Sequence, residues 1–84
     1  MSNELAVVAG GGGFIGGHLV RDLVRQGMRV RAVDMKPLDA WYQVAPEAES
    51  CVLDLSERGA CEQAVTGASR VFNLAADMGG MGFI

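Results

Sequence analysis

The residues best suited to chemistry in this chain lie in a run of glycines near the N-terminus, within the stretch AGGGGFIGGHL. Gly10, Gly13 and Gly16 have the spacing GxxGxxG, and Gly11, Gly13 and Gly16 have the spacing GxGxxG. Glycines placed in this way let a strand turn sharply into a helix, let the backbone approach a pyrophosphate, and let the helix pack tightly on the sheet. The N–H groups that begin such a helix face the phosphates. The spacing therefore predicts a dinucleotide-binding loop.

Two other interpretations of the glycine run exist. A Walker-type triphosphate loop is disfavoured because no Gly-Lys-Ser/Thr follows the glycines. A tight turn between a strand and a helix, with no ligand, is the simple alternative.

An acid at the end of the next apolar run favours the dinucleotide. Asp34 lies about 20 residues beyond the glycines, where a carboxylate accepts hydrogen bonds from the ribose hydroxyls of adenosine. Its charge would repel a 2′-phosphate, so the sequence favours NAD over NADP, although Lys36 two residues later weakens that argument. A solvated acid at a strand end is the alternative for Asp34.

Other polar and aromatic residues carry weaker signals. Asp54 and Leu55 close the third apolar run, and for Asp54 a contact with adenine and a surface position leading into a helix are equally consistent with the spacing. We interpret His18 as a partly exposed helix residue rather than a ligand or a base. Trp41 and Tyr42 are interpreted as cover for the glycine loop or for an adenosine pocket.

Four apolar runs alternate with helical patterns, and these elements must position the glycines and the acids. The runs are LAVVA, MRVRAVDM, CVLDL and RVFNLAA, and the second is expected to end at Asp34. Helical spacing begins at Phe14 and stops near Gly27, and residues 35–47 are expected to form a loop. A weaker helical stripe follows Ser56, a plausible N-cap, and is ended by Gly67; it consists of Ala60, Cys61, Ala64 and Val65.

Strands that alternate with helices predict a parallel sheet with right-handed crossovers. The expected fold is α/β, the N-terminal portion of a doubly wound Rossmann sheet with strand order 3-2-1-4, incomplete because such a sheet has six strands. Residues 1–84 are expected to be one NAD-binding segment, without the catalytic and substrate-domain parts. Dinucleotides bind in the crevice where the strand order reverses, and the segments 10–17 and 79–82 are both expected to leave the sheet there.

Composition restricts the classes of partner. Half of the 84 residues are apolar and the net charge is −3, which predicts a globular chain and argues against nucleic acid or an anionic membrane as a partner. No apolar run approaches the roughly 18 residues of a membrane span, and no signal peptide is evident. Cys51 and Cys61 are interpreted as reduced, mostly buried thiols, and we expect a cytoplasmic protein with no metal site.

Four stretches together resemble one known family: GGGGFIGGHL, the acid Asp34, LDL and VFNLAA. They are similar to the extended short-chain dehydrogenase/reductases, the NAD-dependent nucleotide-sugar epimerases and dehydratases. The final FNLAADMGGMGFI resembles the GDP-mannose 3,5-epimerase branch, in which this segment borders both nicotinamide and sugar. The resemblance covers nearly all of the chain. It implies NAD as cofactor, a GDP-mannose-like nucleotide sugar as substrate, and a homodimer for the full-length protein.

The resemblance also implies roles for individual residues. The pyrophosphate would be held by Gly10, Gly13, Phe14, Ile15 and Gly16. Asp34 would bind ribose, and Asp54 with Leu55 would bind adenine. The central stretch of the cofactor would be lined by Leu74, Ala75 and Ala76, and the nucleotide sugar would contact Asp77, Met78 and Gly79. Ala9 departs from the pattern, because many members have threonine there.

The chemistry of the family needs a tyrosine and a lysine four residues later, and this pair is missing from the chain. The only tyrosine is Tyr42, the only lysine is Lys36, and Pro46 stands four residues after Tyr42. The resemblance implies oxidation of the sugar at C4, epimerisation beside the resulting ketone, and return of the hydride. No catalytic residue is assigned here, and the chain alone is expected to be inactive. A dehydratase of the same family and a non-catalytic dinucleotide-sensing module are the alternatives.

Overall fold

The computed structural model describes residues 4–75, in which strands and helices alternate. The elements are β1 (Leu5–Ala9), α1 (Phe14–Arg25), β2 (Arg29–Asp34), β3 (Glu49–Val52), α2 (Arg58–Val65) and β4 (Arg70–Asn73), with a 3-10 turn at Leu38–Ala40. The strands form one parallel sheet in the order β3-β2-β1-β4. The predicted α/β class and the predicted strand order are confirmed.

Strand β1 is the centre of the sheet because it is paired on both sides. Its register with β2 runs from Leu5 opposite Arg29 to Ala9 opposite Val33, and β4 pairs along its other edge. All residues of β1 are buried. A strand covered on both faces needs apolar side chains at every position, which explains the unbroken run LAVVA.

The two faces of the sheet have separate cores, because successive side chains of a strand point to opposite faces. The helix α1 and Trp41 cover one face, whose buried residues are Ala6, Val8, Val20, Leu23, Val30, Ala32, Trp41 and Ala45. The helix α2 lies on the other face, where the buried residues are Val7, Ala9, Val33, Leu55 and Ala64. Alternation along β1 therefore assigns Ala6 and Val8 to one helix layer, and Val7 and Ala9 to the other.

The predicted bounds of β3, α2 and β4 were wrong. The strand β3 begins at Glu49 and ends at Val52, so that Leu53 to Leu55 lie beyond it. Ser56 does not cap α2, because its hydroxyl donates to Asp54 Oδ1 at 2.7 Å and Glu57 occupies the N-cap without a side-chain hydrogen bond. The strand β4 ends at Asn73, although the N–H of Leu74 still donates to the carbonyl of Ala9 at 2.8 Å.

Within residues 4–75, no helix is long and apolar enough to cross a membrane. The same part of the chain brings together no group of three His, Cys, Asp or Glu side chains that could hold a metal ion. Both cysteines are free thiols, and both are only partly buried rather than mostly buried as predicted.

Candidate functional site

A cavity of about 310 Å³ lies at the carboxyl ends of the strands. Because β1 stands between β2 and β4, the segments that follow these strands diverge at this edge and leave a space between them. The lining combines backbone, one acid, one base and aliphatic side chains; it consists of Gly10, Gly13, Val33, Asp34, Met35, Lys36, Leu53, Leu55, Leu74 and Ala75.

The glycine loop, residues 10–13, joins β1 to α1 and is tied to the strands beside it. The N–H groups of Gly10 and Gly11 both donate to the carbonyl of Val33, at 2.8 and 3.0 Å. Gly10 has a φ of +86°, and a Cβ there would lie 2.8 Å from the carbonyl carbon of Leu74. Only glycine fits this position without strain, because a side chain would be disfavoured by the backbone and blocked by the segment after β4.

The missing side chains of Gly13 and Gly16 have different consequences. Gly13 lines the cavity, and a Cβ there would meet only the carbonyl oxygen of Gly10, at 3.5 Å. A Cβ on Gly16 would collide with that same oxygen, so α1 approaches the loop closely only because residue 16 has no side chain. Gly11 instead packs on Ala32. Of the two overlapping patterns, GxxGxxG is the one that contains both glycines lining the cavity, Gly10 and Gly13.

The start of α1 offers unpaired donors beside the cavity. Its N-cap is Gly13, which has no side chain to cap the helix, and its first turn contains no acidic residue. The N–H groups of the first three helical residues, Phe14, Ile15 and Gly16, have no acceptor within a helix. The side chains of Phe14 and Ile15 are exposed, so their predicted contact with phosphate depends on these N–H groups. The positive end of the helix dipole adds to the attraction for an anion.

Asp34 is the only buried charged residue among residues 4–75, with 8% of its surface exposed. Its Oδ2 accepts the N–H of Gly12 at 3.0 Å, and its Oδ1 accepts the N–H of Lys36 at 3.1 Å. The ammonium of Lys36 lies 3.6 Å from Oδ2. Each carboxylate oxygen has more than one lone pair, so this side chain can still accept ribose hydroxyls at the cavity wall.

Leu55 and Asp54, both predicted to contact adenine, have different positions. Leu55 is buried and lines the cavity, as does Leu53. The carboxylate of Asp54 instead accepts the hydroxyl and the N–H of Ser56, at 2.7 and 3.0 Å. These hydrogen bonds lower the pKa of Asp54 from its ordinary value. The structure thus puts Asp54 in the turn that leads to α2, and its contact with adenine stays a prediction.

The last described residues of the chain form the wall next to β4. Leu74 and Ala75 line the cavity, and Leu74 is 40% exposed. The remaining predicted contacts, Ala76, Asp77, Met78 and Gly79, lie outside the described residues.

Sequence reasoning missed part of this wall. Val33, Met35 and Leu53 line the cavity but were not predicted as contacts. Their position directly before or after a strand end was the available signal, because the carboxyl ends of parallel strands meet at one edge.

The aromatic residues near the loop fall into two groups. Trp41 is buried against Gly12. It therefore covers the glycine loop, which was the first of the two interpretations given for it. Tyr42 is exposed and its ring meets that of Phe14 edge-on, with the centroids 4.7 Å apart. His18 is exposed, as predicted, and its ring lies 4.7 Å from that of Phe14.

Comparison with known proteins agrees with this geometry. The NAD dependent epimerase/dehydratase family matches residues 6–83. A GDP-mannose 3,5-epimerase 1 of Oryza sativa subsp. japonica is 42% identical over 77 residues, which cover 92% of this chain and 20% of that protein. The chain thus spans about a fifth of the length of the curated relatives it matches.

Two solved structures are similar as well. One is a short-chain dehydrogenase/reductase superfamily protein from Agrobacterium tumefaciens with bound NAD, with a TM-score of 0.71 and 29% identity over 86% of this chain and 20% of that one. The other is a UDP-galactose 4-epimerase, with a TM-score of 0.65 and 38% identity over 83% of this chain and 23% of that one. Both align with the described sheet through only a fraction of their own length.

Proposed function

The chain belongs to the NAD dependent epimerase/dehydratase family, and on that premise we propose that residues 1–84 form the NAD-binding segment of a nucleotide-sugar epimerase. The observation that carries this proposal is that three glycines, in the glycine loop and in the first turn of α1, each have a separate structural role. Gly10 makes the turn, Gly13 leaves the wall of the cavity open, and Gly16 lets α1 pack against the loop. These are the separate tasks that a dinucleotide site sets for its glycines.

The described residues support this proposal for the adenosine and pyrophosphate parts of NAD. Unpaired N–H groups at the start of α1 would hold the pyrophosphate. The carboxylate of Asp34 would accept ribose hydroxyls, and Leu53 and Leu55, which line the cavity, would give an apolar wall for adenine. Leu74 and Ala75 would contact the stretch that leads toward nicotinamide. When bound, the cofactor would supply reversible hydride transfer at a sugar carbon.

The substrate is the finer part of the proposal. We propose a nucleotide sugar related to GDP-mannose, because FNLAADMGGMGFI resembles the GDP-mannose 3,5-epimerase branch and a relative of that name is 42% identical. Asp77, Met78 and Gly79 would contact it. The chain has no tyrosine followed four residues later by lysine, so we assign its residues to binding and positioning and none to proton transfer.

Calorimetric titration of the chain with NAD tests the proposal. We expect saturable binding of one NAD per chain. The Gly13→Val variant should fold and lose this binding, because a Cβ at residue 13 meets only one atom of the protein, at 3.5 Å, and the valine side chain would occupy the cavity wall. Gly59→Ala is the matched control, since a Cβ there would meet nothing within 4 Å. A folded chain that does not bind NAD, or a Gly13→Val variant that binds it normally, would contradict the proposal.

A further inference from the structure

The peptide groups of Gly12 are held from outside the glycine loop. The N–H of Gly12 donates to Oδ2 of Asp34 at 3.0 Å, and this hydrogen bond is buried. The carbonyl of Gly12 accepts the N–H of Tyr42 at 2.8 Å. One partner comes from the end of β2 and the other from the segment after the 3-10 turn, so both polar groups of the residue are fixed by distant parts of the chain.

The side chain of Trp41 packs against Gly12. It is buried, and a Cβ built on Gly12 would lie 2.8 Å from Trp41 Cγ and 2.9 Å from Asp34 Oδ2. The indole N–H donates to the carbonyl of Lys36 at 2.8 Å. Trp41 therefore packs on the glycine loop and also fixes the backbone of Lys36, which lines the cavity.

We propose that Asp34, Trp41 and Tyr42 form a Gly12 clamp, which holds the glycine loop in its ligand-binding shape before a dinucleotide arrives. Trp41 is its positioning residue. The inference rests on the proposed NAD site, and it adds a function for the segment between β2 and β3. Four consecutive glycines, residues 10–13, have more backbone freedom than any other sequence, and fixing them on binding would weaken affinity. A loop that is already fixed avoids that loss.

The clamp predicts a graded response to substitution at residue 41. Trp41→Ala removes both the packing on Gly12 and the hydrogen bond to Lys36, and should weaken NAD binding by about tenfold or more. Trp41→Phe keeps an aromatic ring over Gly12 and loses only the N–H donor, so it should recover most of the affinity.

Gly12→Ala tests the same contact from the other side without removing any core side chain. Its methyl group would push against Trp41 and Asp34, so NAD binding should again weaken by about tenfold. Gly59→Ala makes the same chemical change in α2, where the methyl group meets nothing within 4 Å, and should bind NAD as the unchanged chain does.

A comparison of ligands distinguishes the loss of glycine-loop positioning from damage to the whole site. Calorimetry with NAD, ADP-ribose and adenosine compares ligands that share the adenosine part. NAD and ADP-ribose carry the pyrophosphate, and adenosine lacks it. A clamp that acts on the phosphate-facing loop predicts that Trp41→Ala and Gly12→Ala weaken the binding of NAD and ADP-ribose more than the binding of adenosine. Equal losses for all three ligands would mean that the substitutions damage the whole site, and would overturn the positioning role.

The remaining outcomes also test the Gly12 clamp. Circular dichroism establishes whether each variant is folded, and if Trp41→Ala is unfolded, the decision passes to Gly12→Ala and Trp41→Phe. Unchanged NAD affinity in folded Trp41→Ala and Gly12→Ala would overturn the clamp and leave the proposed function intact. An unchanged chain that binds neither NAD nor ADP-ribose would overturn the proposed function and the clamp together.

Discussion

At the scale of single residues, the Asp34 carboxylate has two roles, and a substitution would disturb both of them. Its carboxylate holds the N–H of Gly12 and the N–H of Lys36, and the same carboxylate lines the cavity where ribose would bind. The ammonium of Lys36, 3.6 Å away, offsets part of its charge. The proposed preference for NAD over NADP would therefore depend on the balance between these two side chains and not on the acid alone.

Substitution of Asp34 should weaken NAD binding and relax cofactor choice. Asp34→Ala removes an acceptor of charge-assisted hydrogen bonds and should cost about 1.5–3 kcal/mol of binding free energy. Asp34→Asn keeps an acceptor for Gly12 and should cost less. Both variants should raise the affinity for NADP relative to NAD, because the repulsion of the 2′-phosphate is gone. Calorimetry with both cofactors measures this.

Substitution of Lys36 tests the opposite change in charge, because it removes a positive charge beside the cavity. Lys36→Met removes the positive charge beside Asp34 and should lower NADP affinity more than NAD affinity. If the unchanged chain binds NADP as tightly as NAD, the proposed preference is wrong.

Two carboxyl groups outside the core, those of Glu49 and Asp54, should make the fold sensitive to acid. The hydrogen bond from Arg31 lowers the pKa of Glu49, and the Ser56 hydroxyl lowers the pKa of Asp54. In each, the unfolded chain holds the proton more tightly than the folded chain, so the stabilisation is complete above the ordinary pKa and is lost as pH falls through the lower, folded value.

Chemical denaturation between pH 7 and pH 3 measures this loss. The free energy of unfolding should decrease below a pH of about 4.5, where carboxyl groups begin to bind protons. Glu49→Gln should show a smaller decrease, because residue 49 no longer titrates. An identical decrease in the variant would show that Glu49 contributes nothing to acid sensitivity.

At the scale of elements, Arg31 joins β2 to the end of α2. Its side chain is 14% exposed, and Nη1 donates to the carbonyls of Ala64 and Thr66 at 2.8 and 2.9 Å. Its Nε donates to Oε1 of Glu49 on β3 at 3.0 Å. Carbonyls in the last turn of a helix have no partner within the helix, and a cation there is also favoured by the helix dipole. One side chain thus fixes the position of α2 against two strands.

Arg31→Met should loosen this connection. The variant keeps a long apolar stem in the sheet but loses the donors, and we expect a loss of about 1.5–3 kcal/mol in the free energy of unfolding, typical of hydrogen bonds to a charged group. Arg21→Met on the exposed surface of α1 is the control, since methionine and arginine have similar helix propensities. Equal urea midpoints for the two variants would contradict the role of Arg31.

At the scale of the whole molecule, the sheet is covered unevenly. In the described part of the chain, β4 is paired only with β1 and forms an edge. Val71 and Val65 are each 40% exposed, and both line an apolar groove between α2 and β4 together with Val7, Ala9, Leu55, Cys61 and Ala64. An open edge next to apolar surface favours pairing with another chain.

The isolated chain of residues 1–84 should therefore self-associate or be marginally stable. Light scattering and a thermal melt over a range of concentrations would measure both properties. Val71→Lys places a charge on the edge strand and should shift the chain toward monomer. A monomeric unchanged chain with a cooperative transition at high temperature would show that the four strands close their core without a partner.

We expect the same chain to have no epimerase activity on GDP-mannose in the presence of NAD, because it contains no tyrosine followed four residues later by lysine, the pair that the family resemblance implies for catalysis. Chromatography of the sugar nucleotide after incubation would detect any epimerised product. Turnover by this chain alone would show that its own residues transfer protons, and would refute our assignment of these residues to binding only.

The amino-acid sequence by itself determined the strand order and the elements that carry the glycine loop. The bounds of β1, the start of α1 at Phe14 and the end of β2 at Asp34 agree with the predictions. These features follow from local signals: an unbroken apolar run, a change to helical period, and an acid at the end of a β-branched run. Local signals suffice there because each depends on residues within one turn or one strand.

Tertiary structure alone decided the features that depend on contacts distant in sequence. The strand β3 begins at Glu49 because that residue pairs with Arg31 on the neighbouring strand, and no local pattern around residue 49 indicates this. Gly12 is fixed by Asp34 and Trp41, which are remote along the chain and adjacent only in the folded sheet. The sequence indicated several residues that line the cavity, among them Gly10, Asp34 and Leu55. The parallel sheet brings these residues together, because it aligns the carboxyl ends of strands that are far apart in the chain.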